Sequence, residues 1–366
     1  MAKNTNVTKR GGGILGGLII VVIGIMLLSF NEGRTVKTQS AINEAMKEYK
    51  DVTSEKIDSK NEGKVIATTG KLDLSNTGEI KDSKFGIVIN GAKLLRKAEM
   101  YQWVEECETD ENDNKNCTYT KEWRESLIDS SEFTKPGYTN PTSFKYESED
   151  FLGSNIKVGE FDLPERLLKD LSYNKDLNNE KLSEMYKEPV DNFKLEGNYL
   201  INSVNTEDTQ IGDIRLSYKY ASDGEVSMLG VQKGNTLSAF TGKKGKTIFK
   251  IKRGNYTGKE ILNEMTSSNK RTKWLLRAVG TLAVILGTAS IFAPLQNLTD
   301  KIPVLRNIVN IGTGLVSTVL GLAISLLVIA ISWFRYRPVL SIVLIVIIIA
   351  LIVFLKVYKK DTPKKK

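Results

Sequence analysis

The chain has 366 residues, with 52 Lys and Arg against 43 Asp and Glu, two cysteines and no histidine. Without histidine there is no Ser-His-Asp triad, no imidazole base and no imidazole-dependent zinc site, and two cysteines cannot build a structural zinc site alone. The formal charge of +9 sits at the two ends: residues 1–30 and 274–366 hold 14 of the bases and only two acids, Asp300 and Asp361, which leaves residues 31–273 with 38 bases, 41 acids and a net charge of −3. No basic face is therefore offered to nucleic acid, and none is expected as a partner.

Residues 1–10 form a short stub with Lys3, Lys9 and Arg10. The uncharged run 11–30 follows, and its 20 residues suffice to cross a hydrocarbon core of about 30 Å. Its length, and the lack of a small-x-small site after it, favour an uncleaved anchor over a signal peptide. Asn31-Glu32-Gly33-Arg34 comes next. Glu32 and Arg34 could pair or touch lipid headgroups there, and Gly33 would permit a sharp bend; the plainer reading is a structural junction between helix and domain.

Residues 38–50 read as a short helix leaving the membrane. Strand-like runs follow at Lys64–Thr69, Gly86–Ile89, Met100–Val104 and Tyr119–Trp123, then at Tyr199–Val204, Ile214–Tyr220, Val226–Gln232, Thr236–Phe240 and Thr247–Lys252. Gly, Asn and Asp punctuate both groups at turn spacing. Ser222-Asp223-Gly224 and Lys243-Lys244-Gly245-Lys246 read as hairpin turns. Pro164 opens one helix, and Thr257 with Glu260 forms a capping box before another, about Gly258–Ser267. Residues 31–273 are thus a β-rich α+β domain, of one core or of two lobes joined near 150–190.

Cys107 and Cys117 flank a polar hairpin tip. They either close a disulfide across its base, as an oxidising compartment would favour, or remain unpaired thiols on a loop. The acids at the tip, Asp110 to Asp113, read as solvated surface more readily than as a weak calcium site.

Three further apolar runs close the chain at 274–295, 308–334 and 339–358, before a basic tail at 359–366. The fold class expected is a multi-span α-helical membrane protein with four transmembrane helices and a large β-rich α+β extracytoplasmic domain between the first and second. The bases of the stub, the tail and the 296–307 loop place both termini in the cytoplasm. Lys270, Arg271, Lys273, Arg335 and Arg337 fall on the other side and weaken that assignment. Small residues mark the spans: Gly12, Gly13, Gly16, Gly17 and Gly24 in the first, Gly280 and Gly287 in the second, Gly314 and Gly321 in the third. Such positions let helices approach closely. Ser317, Thr318, Ser325 and Ser332 give the third span a polar stripe, a packing face or a pore lining. All charges lie at span ends, which argues against an ion-coupled pump.

Several stretches together resemble the transmembrane protein 43 family, also called LUMA. They are Asn31-Glu32-Gly33-Arg34-Thr35-Val36-Lys37-Thr38, Glu99-Met100-Tyr101-Gln102-Trp103-Val104-Glu105 with Lys121-Glu122-Trp123-Arg124, Gly212 to Tyr218, Pro303 to Gly312, and Tyr336-Arg337-Pro338. Their order and the four-span plan carry the resemblance; the cysteine pair is no part of it. The resemblance implies proteins of the endoplasmic reticulum and inner nuclear envelope, with the large domain in the lumen. It also implies association with lamins, emerin and further copies of themselves, an unsettled activity and a suggested channel role. The Lys-, Asn- and Ile-rich usage suits an AT-rich genome, so the chain reads as a bacterial relative, set in the cytoplasmic membrane.

No catalytic, cofactor or metal site is expected. Gly242-Lys243-Lys244-Gly245-Lys246-Thr247 is too short and wrongly placed for a phosphate loop. The first expectation is a non-enzymatic membrane scaffold that organises membrane or envelope through self-assembly and binding of lipids or other membrane proteins. An oligomeric ion channel is the second, and a hydrolase of envelope glycans or lipids, using paired carboxylates, the third.

Overall fold

The computed structural model describes residues 6–109, 115–203, 209–293 and 313–336, with 338, 339 and 342. The fourth apolar run, the Pro303–Gly312 motif and the acidic tip 110–114 lie outside the described residues. Five α-helices occur among those described: α1 (Asn6–Glu48), α2 (Glu165–Asp170), α3 (Asn179–Met185), α4 (Gly258–Phe292) and α5 (Thr313–Tyr336). The chain forms two compact units: a helical one of residues 1–47, 241–248 and 262–366, and a β-rich one of 48–240 and 249–261.

In the helical unit, α1, α4 and α5 are each long and apolar enough to cross a membrane. The first span and the expected helix at 38–50 are one element. α1 has 43 residues, about 65 Å at 1.5 Å per residue, so it extends well past a hydrocarbon core of about 30 Å. Gly33 does not bend it. A single glycine costs a helix about 1 kcal/mol, and contacts on either side of this one outweigh that cost. α1 and α4 run antiparallel and meet at glycines. A Cβ on Gly17 would lie 2.7 Å from the Gly287 carbonyl oxygen, and one on Gly287 would lie 2.7 Å from that of Gly17. Gly24 faces Val284 and the Gly280 carbonyl, and Gly321 faces the Ile285 backbone. Leu28 and Val284 are buried between the helices. Leu15, Ile23, Met26, Leu282, Leu286, Leu326 and Ile331 point outward, each more than half exposed. A small, partly polar interior inside an apolar exterior is the arrangement lipid requires.

Residues 241–248 form a hairpin tip on α1. Gly242 N–H donates to the Lys246 carbonyl (2.9 Å), and Gly245 makes the turn with φ +74°. The Lys243 amide donates to the Glu44 carboxylate (2.7 Å). A Cβ on Gly242 would meet the Ala41 Cβ at 2.8 Å. The turn reading of this Lys-Gly run holds.

The β-rich unit has two seven-stranded sheets. In the first, Val65–Asp73 pairs with Glu225–Lys233 and with Lys157–Val158. Phe161–Asp162 and Thr236–Ser238 complete a circuit of pairings that returns to Glu225–Lys233. Lys50–Thr53 and Lys250–Arg253 are added at its sides. Ile66, Leu72, Val158, Phe161, Val226, Met228 and Leu237 fill its core. The second sheet runs Lys194–Glu196, Tyr199–Ile201, Ile214–Ala221, Lys93–Thr109, Lys115–Arg124. Its alternation is plain in Ile214, Leu216, Tyr218 and Tyr220, all buried, as period two demands. They join Phe85, Leu94, Met100, Tyr146 and Phe193 in a separate core.

Each sheet draws strands from both sequence groups, so the two cores do not divide the chain at 150–190. Ser222-Asp223-Gly224 is not a hairpin turn: it carries the chain from Ile214–Ala221 of one sheet to Glu225–Lys233 of the other. Gly224 at φ +133° provides the turn. α2 starts after Pro164, and the capping box forms as expected: Thr257 N–H donates to Glu260 Oε2 (2.9 Å), and Glu260 N–H donates to Thr257 Oγ1 (3.3 Å).

Candidate functional site

A cluster of charged and amide side chains stands at one end of the apolar belt of the helical unit. Successive residues on a helix diverge by about 100°, so Glu32 and Arg34 face different ways and do not pair. Glu32 is fully buried. Its Oε1 accepts from Arg277 Nε of α4 at 2.7 Å, and its Oε2 accepts from Trp333 Nε1 of α5 at 2.9 Å. One carboxylate thereby ties three helices. Arg277 also lies over the Trp274 ring, 4.9 Å from its centroid, and over Trp333 at 5.8 Å.

Asn31, also fully buried, donates from Nδ2 to the Lys273 carbonyl at 3.0 Å. Arg34 donates from Nη1 to Asn269 Oδ1 (3.2 Å) and from Nη2 to Asn31 Oδ1 (3.3 Å). Asn269 donates back to the Thr35 carbonyl at 3.1 Å. Gly33 lets α5 come close, since a Cβ there would lie 2.7 Å from the Tyr336 ring. The four junction residues therefore divide three tasks: Asn31 and Arg34 hold α4, Glu32 holds α4 and α5, and Gly33 makes room for Tyr336.

Both Glu32 oxygens are engaged by strong donors, so this carboxylate is a structural acceptor and not an available base. Arg277, Trp333, Asn269 and Tyr336 were missing from the sequence reading of this site. One signal could have found Arg277, which is the only charged residue inside the apolar run 274–295. Charge within a span is expensive unless paired.

Of the remaining small residues, Gly13, Gly16 and Gly314 have open space where a Cβ would stand, and the surroundings of Gly12 lie outside the described residues. Ser317, Ser325 and Ser332 are all buried. Ser325 Oγ donates to the Gly321 carbonyl at 2.8 Å. Their stripe faces the interior of the helical unit, with Gly321 against Ile285.

In the β-rich unit Cys107 and Cys117 are opposite one another in the Lys93–Thr109/Lys115–Arg124 ladder and form a disulfide. Glu105 lies close by, but cysteines bonded to each other offer no thiolate to a metal. Glu105 instead accepts from the Tyr119 hydroxyl (2.5 Å) and the Thr134 amide (2.6 Å), docking loop 128–140 on the hairpin. Gln102, fully buried, accepts from the Ile128 amide at 2.9 Å and donates to the Ser126 carbonyl at 3.0 Å. Arg215 lies between the Trp123 and Tyr199 rings, 4.7 and 4.6 Å from their centroids, and bonds Glu99 at 2.8 Å.

A second buried charge pair lies in this unit: Arg96 bonds Asp82 at 2.7 Å, and the Tyr218 hydroxyl donates to the same carboxylate at 2.9 Å. Burial first, and the Asp82 charge second, push the Tyr218 hydroxyl far above its ordinary pKa, so it stays a neutral donor. The groove lined by Leu127, Asp129, Asn140 and Pro141 holds a single carboxylate, whereas Asp73 and Asp223 line another shallow groove together with Lys71, which pairs with Asp223 at 3.6 Å.

Three long apolar helices, joined by a buried polar clamp and accompanied by a large β-rich unit, define an integral membrane protein. The sequence profile of transmembrane protein 43 matches residues 100–338, and the chain belongs to that family. It is 29% identical to transmembrane protein 43 of Homo sapiens and of Pongo abelii over 358 residues, which is 92% of this chain and 88% of each relative. The Drosophila melanogaster homolog is 26% identical over 345 residues, 89% of each chain. No solved structure matches the chain significantly.

Proposed function

We propose that the protein is a non-enzymatic membrane scaffold that assembles with copies of itself and organises membrane or envelope through its β-rich domain. In this reading the apolar run 339–358 is a fourth span, both termini are cytoplasmic and the β-rich domain faces the other side. The compartment follows the host: the cytoplasmic membrane of a bacterium, or the endoplasmic reticulum and inner nuclear membrane of a eukaryote. The observation that supports it is the use made of charge. Buried ion pairs in both units, Glu32 with Arg277 and Asp82 with Arg96, join elements of the fold, as do the buried Lys93 through the Lys169 carbonyl and Glu99 through Arg215. A membrane anchor knit by buried ion pairs and a β-rich domain with its own cores suit a scaffold. The channel reading needs the Ser317/Ser325/Ser332 stripe to face a pore formed between copies, and that stripe is buried within its own chain.

Crosslinking in native membranes, followed by affinity capture in mild detergent, tests the proposal. Oligomers or a stoichiometric membrane-protein partner are expected. A strictly monomeric protein with no partner would overturn it.

A further inference from the structure

The bases Lys270, Arg271, Arg335 and Lys37 run against the charge bias that orients the chain, and the helical unit suggests why they are there. Lys37, Lys270, Arg271 and Arg335 are exposed, and none makes an ion pair with a described acid. No Asp or Glu occurs in 33–43, 266–277 or 334–336. Among the described residues the one acid at this level, Glu32, is buried and already paired with Arg277. The result is a cationic collar around the end of the bundle at which α1 leaves the apolar belt.

Exposed aromatic residues place this collar at the bilayer edge. Phe30, Trp274 and Phe334 are 66%, 62% and 53% exposed. Aromatic side chains gather at the membrane–water interface. Lys270 and Arg271 precede Trp274 by four and three residues, so they share its helix face. They stand about 5–6 Å further along the axis, within a headgroup layer of about 5–8 Å. Lys37 lies two turns, about 10 Å, beyond Phe30 on the same face, and helical side chains lean toward the N-terminus, so its long stem leads the ammonium back toward that layer.

We propose that this collar binds anionic phospholipid headgroups in the leaflet on that side, through Lys37, Lys270, Arg271 and Arg335. Trp274 would seat in the acyl–headgroup boundary beneath them. The inference deepens the scaffold reading and rests on it for the membrane setting: the lipid would be what the scaffold gathers on that face. Each base near an anionic surface contributes about 1 kcal/mol, roughly fivefold in affinity.

The test uses the full chain in phosphatidylcholine vesicles carrying a minor share of dansyl-phosphatidylglycerol or dansyl-phosphatidylcholine, with energy transfer from tryptophan as readout. Transfer to the phosphatidylglycerol probe should exceed that to phosphatidylcholine several-fold, and the excess should fall as sodium chloride is raised. The triple variant K37Q/K270Q/R271Q should lose most of the excess. If that variant misfolds, the salt titration of the natural chain still decides. Equal transfer to both probes, a preference indifferent to salt, or one unchanged in the folded triple variant would overturn the inference. Displacement by millimolar inorganic phosphate would also overturn it, by showing a site for a free anion. Crosslinking and capture from native membranes separate the two ideas: oligomers or a partner without lipid preference in the vesicles would sink the collar alone, and lipid preference in a strict monomer that captures no partner would sink the scaffold alone.

Discussion

Glu32 of α1 and Arg277 of α4 pair at 2.7 Å, with the carboxylate fully buried and its second oxygen held by Trp333 of α5. Removing one partner of a buried pair strands the other charge, at a cost of about 3–5 kcal/mol. Arg277→Met should therefore lower the thermal midpoint of the detergent-solubilised protein sharply. The double change Glu32→Leu with Arg277→Met should cost clearly less than the single one, because no charge is left unpaired. Equal losses in the single and double variants would show that Trp333 and Asn31, not the ion pair, hold the helices together.

The glycines divide into two sets with opposite expected behaviour. Gly17 and Gly287 each face the other's carbonyl oxygen, and a Cβ on either would lie 2.7 Å from it. Gly16 and Gly314 have nothing within 4 Å of that point. Gly287→Ala should push α1 and α4 apart and cost about 1–3 kcal/mol. Gly16→Ala, which relieves glycine's helix penalty, should be neutral or stabilising by up to about 1 kcal/mol. Thermal melts of the two variants side by side check this. A stable Gly287→Ala would refute the close α1–α4 contact.

What could be read from residue order and what could not follows from the range of the interactions involved. Three of the apolar runs, the Thr257–Glu260 capping box and the Cys107/Cys117 hairpin are local patterns, and the described residues contain them. The Lys243–Lys246 turn is local as well. Sheet membership is not local: Val65–Asp73 pairs with Glu225–Lys233 across some 160 positions, and no turn signal records that. Hence the Ser222–Gly224 turn was legible as a turn but not as a crossing between sheets. The junction motif shows the same limit. Asn31, Glu32, Gly33 and Arg34 stood out as polar residues beside an apolar run, but their tasks depend on Asn269, Arg277, Trp333 and Tyr336, more than 200 positions away. Gly33 could signify a bend or a close approach, and only the presence of Tyr336 decides between them.

The disulfide closes a short segment, Cys107 and Cys117 being ten positions apart. By chain entropy such a closure contributes at most about 3 kcal/mol. The two strands are already paired residue by residue from Met100–Arg124 to Thr109–Lys115. The Cys107→Ser, Cys117→Ser double variant should therefore fold, with only a modest fall in thermal midpoint. The loss of protection against amide hydrogen exchange should be confined to Lys115–Thr120 and to Thr134–Lys135, which the hairpin holds through Glu105 and Tyr119. Exchange spreading into Leu94–Met100, in the core of the sheet, would show that the disulfide supports the whole second sheet.

Glu99 should contribute acid sensitivity to that sheet. Burial alone would push its carboxyl up, but the Arg215 hydrogen bond and charge, aided by Lys97, bring it below the ordinary carboxylate range. A carboxyl whose folded pKa lies below its unfolded value stabilises the fold above the unfolded value, about 4.3 for glutamate, and loses that contribution as pH falls through the folded one. In Glu99→Gln the contribution is absent at every pH. The natural chain should melt above the variant at pH 7, and the gap should narrow steadily as pH is lowered below about 4. Arg215 remains stacked between Trp123 and Tyr199 in the variant, so the change isolates the ion pair from the aromatic contacts. A gap that stays constant into acid would mean that Glu99 acts through hydrogen-bond geometry, which the glutamine retains in part, and not through its charge.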